Sequence, residues 1–137
     1  MTSDKIQTVR DYFKATEEHD REGVRRCLGP RYTWIDHAAD RIVRSPEDFR
    51  HELAQFEAWS NVRYIIENAV EAVDGSVIVQ VVKSGNVNGT FRRMVGTGQH
   101  VSYAICEVIR FDDNGRIIHE EGYYDLLAVR RQLGYPD

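Results

Sequence analysis

The chain has 137 residues, 42% hydrophobic and 29% charged, and a formal net charge of −4. That length supports one domain with a real core, residues 1–137, and leaves little room for a second. Arginines are scattered among acids, so neither nucleic acid nor an anionic membrane surface is expected as a partner. No apolar run approaches a membrane span, and the opening MTSDKIQTVR lacks the apolar centre of a signal peptide. Cys27 and Cys106 show no metal-type spacing and are too few for a disulfide framework. They are expected to act as small hydrophobes in a reducing cytoplasm.

Residues 4 to 19 predict an amphipathic helix, with Ile6, Val9 and Phe13 at helical spacing and Tyr12 beside them. Asp20 can cap a shorter helix carrying Val24, Cys27 and Leu28, which Gly29-Pro30 is expected to stop. Tyr32 to Asp36 alternates as a short strand with Tyr32, Trp34 and Asp36 on one side. Ser45-Pro46-Glu47-Asp48 is a strong helix start, and Phe49, Leu53 and Phe56 give that helix its stripe, with Trp59 near its end.

From Asn61 the period becomes alternating. Residues 62 to 73 and 76 to 83 predict two strands joined at Asp74-Gly75. A bend over Ser84 to Thr90 follows, then a segment around Phe91 to Val95. Residues 96 to 134 predict a long strand, a turn at Asp112-Asp113-Asn114-Gly115, a second strand and a closing helix capped by Asp125. Helices first and a mostly antiparallel meander afterwards imply an α+β domain with helices on one face of a curved sheet.

Two acids stand out. Glu107 is the single acid in a largely apolar strand, where it must be paired, solvated or used. Both faces of that strand are mostly apolar, so alternation does not decide which one is inside. Asp36 ends a strand whose aromatic side it shares, and desolvation in an apolar cleft makes a carboxylate a better proton acceptor. Trp34, Phe56, Trp59, Tyr64, Tyr103 and Tyr124 can line a cavity for a flat ligand or form an ordinary core. His100, just before the long strand, can reach a pocket mouth. His37, His51, His100 and His119 form no ligand set, so no metal is expected.

The order of elements resembles the cone-shaped fold of nuclear transport factor 2, ketosteroid isomerase, limonene epoxide hydrolase and the SnoaL-like polyketide cyclases. GNVNGTF, VGTGQHV, VIRFDDNGRI and GYYD with QLG are similar to the SnoaL-like pattern, although Val95 to Gln99 departs from its Pro-Pro-Thr-Gly-Arg. Tyr12, Asp36 and Glu107 match the places of the ketosteroid isomerase tyrosine and two acids, with Glu for the usual Asp at 107, and Tyr124 matches a helper aromatic. The resemblance implies cofactor-free acid–base chemistry on an enolisable polycyclic or polyketide-like substrate: isomerisation, dehydration or aldol-type cyclisation. Asp36 would be the base, and Tyr12 and Glu107 would stabilise the oxyanion. It also implies a homodimer through the sheet's outer face. A ligand-binding or interaction module is the alternative. Epoxide opening comes third, because the places of that family's triad hold Ile105 and Gly122.

Overall fold

The structure is a computed structural model and describes residues 3–136. Helix α1 (Asp4–Glu17) starts where the Ser3 hydroxyl accepts the Ile6 N–H, and it buries Val9, Phe13 and Ala15. Asp20 caps α2 (Arg21–Cys27) by accepting the Gly23 N–H. Gly29-Pro30 does more than end this helix. Both residues lie in strand β1 (Leu28–Asp36), near whose start a proline costs no central ladder donor. A short strand, β2 (Arg41–Val43), follows, then α3 (Pro46–Glu57), capped by Ser45 accepting the Asp48 N–H.

Strands β3 (Trp59–Glu71) and β4 (Val77–Val87) form a long antiparallel hairpin. Trp59 therefore opens a strand instead of closing a helix, and β4 runs four residues into the expected bend, to Val87. Thr90–Phe91 (β5) and Met94–Val95 (β6) form a small hairpin of their own. Its two turn residues, Arg92 and Arg93, both have positive φ, 51° and 66°. A two-residue hairpin needs that geometry, and for a non-glycine it stores strain of roughly 1–3 kcal/mol per residue.

The main sheet is completed by β7 (Gln99–Phe111) and β8 (Ile117–Tyr124), and α4 (Leu126–Gln132) closes the chain, capped by Asp125. Strand order is β2-β1-β8-β7-β4-β3, antiparallel except for the β1–β8 pair. The fold is the expected α+β cone: a curved, open sheet with helices over its inner face. Alternation now has a direction. Val101, Tyr103, Ile105, Glu107 and Ile109 are buried, while His100, Ser102 and Ala104 are exposed.

On β8 a register shift between Arg110 and Phe111 breaks the simple alternation, so that Ile117, Glu120 and Gly122 are all buried. Gly122 lies opposite Glu107 on one side and Asp36 on the other. A Cβ there would come within 2.7 Å of the Trp34 ring. Because Trp34 is buried, Gly122→Ala should lower the urea midpoint by an amount equivalent to about 1–3 kcal/mol. No measurable loss would mean that the indole is free to move.

Candidate active site

Between the inner face of the sheet, the α1–α2 corner and α3 lies a cavity. Of the residues expected at a site, Tyr12, Trp34, Asp36, Phe56, Tyr64, Tyr103, Glu107 and Tyr124 line it. Two do not. His100 is exposed, because it shares the parity of the strand's outer face. Trp59 is fully buried behind the wall, edge-on to Phe91. The cavity also holds polar groups that sequence reasoning passed over: Tyr32, Glu52, Lys83, Arg92 and Glu120.

One wall is a carboxyl pair. Glu107 on β7 and Glu120 on β8 are 4% and 2% exposed. Desolvation first, then the charge of Glu120 and a hydrogen bond with it, push the Glu107 pKa well above the ordinary carboxylate range. Both effects favour the protonated form of Glu107. Tyr32 donates to Glu120 Oε1 at 2.5 Å, and the Tyr12 hydroxyl lies 3.5 Å from that of Tyr32. Burial, then the charge of Glu120, raises the pKa of both phenols, so both stay protonated donors.

The opposite wall is an ion network. Arg92 Nε donates to Asp36 Oδ2 at 2.9 Å, Nη1 donates to Gln55 Oε1 at 2.8 Å, and Nη2 reaches Glu52 Oε1. Glu52 in turn accepts from Arg41 at 2.6 Å. Burial opposes the guanidinium charge, but Glu52 and Asp36 outweigh it and hold the Arg92 pKa above its ordinary value. The strained β5–β6 turn thus has a use: it aims Arg92 inward. Asp36 is 0% exposed and also accepts the Tyr124 hydroxyl at 2.7 Å and the Ala39 N–H at 2.9 Å. Asp36, the base implied by the resemblance, thus carries an arginine and two further donors.

Four buried polar atoms lack a hydrogen-bond partner among the described residues: Trp34 Nε1, Trp59 Nε1, Lys83 Nζ and Glu107 Oε1. Three of these residues line the cavity. Since buried polar groups are almost always paired, this cluster marks where a ligand's polar atoms would sit. No cluster of metal-binding side chains occurs among the described residues.

Residues 6–133 match the sequence model of the SnoaL-like polyketide cyclases. The chain belongs to that family. Among solved structures, this SnoaL-like chain is similar to a protein from Jannaschia sp. CCS1 described as a candidate SnoaL-like polyketide cyclase. The two share 25% identity over 98% of this chain and 94% of that one, with a TM-score of 0.81. TsrD from Streptomyces laurentii shows 20% identity, 99% coverage of both chains and a TM-score of 0.82. An epoxide hydrolase of the LEH-like type from M. tuberculosis shows 19% identity over 96% and 90%, with a TM-score of 0.73. The last two likenesses establish the fold alone. No curated protein matches the sequence.

Proposed function

We propose that this SnoaL-like protein catalyses acid–base chemistry on an enolisable carbonyl compound, polycyclic or polyketide-like, bound in the cavity: an isomerisation, dehydration or aldol-type cyclisation. The observation that carries this reading is Glu107, a buried carboxyl beside Glu120 with one oxygen unpartnered, whose pKa burial and the Glu120 charge push up. A protonated carboxyl in the wall of a largely aromatic cavity is a hydrogen-bond donor for a carbonyl oxygen that becomes an enolate oxygen. Glu120, its partner in the pair, is the acceptor for the proton leaving the adjacent carbon. Tyr32, and Tyr12 behind it, hold Glu120 in place and compensate the charge it carries. Asp36 keeps Arg92 and Tyr124 in position at the far end of the ligand.

Aromatic walls supply the rest. Tyr64, Tyr103, Phe56 and Trp34 present flat apolar faces suited to fused or conjugated rings. The same unpartnered atoms also fit a second reading, a module that binds such a compound and leaves it unchanged.

The two readings separate in one experiment. A panel of enolisable ring ketones is screened by thermal shift, and the binders are then followed by proton NMR in deuterated buffer. The expected result is accelerated exchange of the hydrogens next to the carbonyl for at least one binder. Binders that stabilise the protein without exchange or conversion would support the binding module and remove the catalytic reading.

A further inference from the structure

Lys83 has no part in the scheme above, yet it is the only lysine in the cavity wall. Of the chain's three lysines, Lys5 donates to the Gly75 carbonyl at 2.9 Å, and Lys14 is exposed. Lys83 continues the inward alternation of Val77, Val79 and Val81 on β4 and is 1% exposed. Its Nζ sits among aromatic rings, 4.1 Å from the centre of Trp59, 4.5 Å from Phe56, 5.1 Å from Phe91 and 5.6 Å from Tyr64. It has neither an ion-pair partner nor a hydrogen-bond acceptor among the described residues.

Charged groups approach from four elements: Arg92 from the β5–β6 turn, Glu52 from α3, Glu107 from β7 and Asp36 from β1. Desolvation, then repulsion by Arg92, takes its pKa well below the ordinary lysine value, against the pull of the three acids. The rings favour the ammonium, and burial favours the amine. In its unprotonated form an interior amine with no hydrogen-bond partner has no donor on its lone pair, which is the condition for attack on a carbonyl carbon.

We propose that Lys83 is a carbonyl-capturing nucleophile, condensing with an aldehyde or ketone ligand in the cavity to form an iminium. The amine nitrogen bonds to the carbonyl carbon and gives a carbinolamine. That species loses its hydroxyl as water, taking up one proton, and leaves a carbon–nitrogen double bond that carries the positive charge. No oxidant or reductant is consumed. The iminium acidifies the neighbouring carbon, so it serves the same class of substrate, but its formation does not depend on Glu107.

The test is reductive trapping on the whole protein. 2-Naphthaldehyde and sodium cyanoborohydride are added near neutral pH, the hydride reducing any iminium to a secondary amine, and the adduct is located by intact mass and peptide mapping. The expected adduct is on Lys83 and forms at least about tenfold faster than at Lys5 or Lys14. Glu107→Gln should still be labelled there, which keeps this result separate from the acid–base reading. Lys83→Met, whose side chain fills the ring cage with an apolar thioether, should keep its near-ultraviolet dichroism and lose the fast adduct. Labelling confined to Lys5 and Lys14 in the unmodified protein would overturn the proposal, and so would an unchanged fast adduct in Lys83→Met.

Discussion

Glu107→Gln should lower turnover of any substrate the cavity accepts by about 10²–10⁴-fold, the usual range for one positioned acid or base. The amide keeps the shape and a hydrogen-bond donor, so the fold should persist and binding should change far less than rate. Stability against pH gives a second readout. The folded-state pKa of Glu107 lies above its unfolded value, because burial and Glu120 disfavour the charged form. Its contribution to stability is therefore complete below the ordinary carboxylate value and is lost as pH rises through the raised one. Glu107→Gln does not titrate and should lack that alkaline loss. Equal turnover in the two proteins would remove Glu107 from the chemistry, whatever its effect on stability.

Arg92→Ala should be the most destabilising single change in the cavity wall, at about 3–5 kcal/mol, because it leaves Asp36 and Glu52 buried with their shared cation gone. Arg41 still reaches Glu52, but Asp36 would retain only the neutral donors Tyr124 and Ala39 N–H. Arg92→Lys should recover part of the loss, since it restores charge without the planar fork that serves Asp36, Glu52 and Gln55 together. Urea denaturation of both variants beside the unsubstituted protein measures these losses. A loss for Arg92→Ala below about 1 kcal/mol would place the network in water instead of in the core.

What was legible in the sequence follows from which signals are local. Helix starts at Asp20, Ser45 and Asp125 were carried by their own caps and the apolar residues behind them. Asp36 and Glu107 were visible as acids in apolar company, and the parity of β7 placed Tyr103 and Glu107 on one face. Which face lay inside required the sheet, and so did the exclusion of His100. Lys83 carried a signal that went unread: it is the fourth member of an inward run of valines. Glu120 was hidden by the register shift that breaks β8's simple alternation, and its partner Tyr32 lies 88 residues away. Arg92 sits in a Phe-Arg-Arg-Met hairpin whose composition reads as surface. Only the ring of acids around it, from β1 and α3, draws it inward.

This division has a physical basis. Caps and periodicity are settled within one turn or one strand, whereas a buried charge is tolerated only when distant chain segments supply its partner. The same dependence makes the cavity a functional candidate: its polar groups are costly to bury, and one side leaves them unpaired.

The central claim is that the cavity keeps the Glu107 carboxyl protonated when ordinary carboxyls are ionised. Side-chain carboxyl carbons of ¹³C-glutamate-labelled protein, followed from about pH 4 to about pH 9 with Glu107→Gln for assignment, measure this directly. The expected result is a Glu107 signal that stays in the protonated position at neutral pH and moves only on the alkaline side. A Glu107 signal that titrates with the surface glutamates would contradict the account.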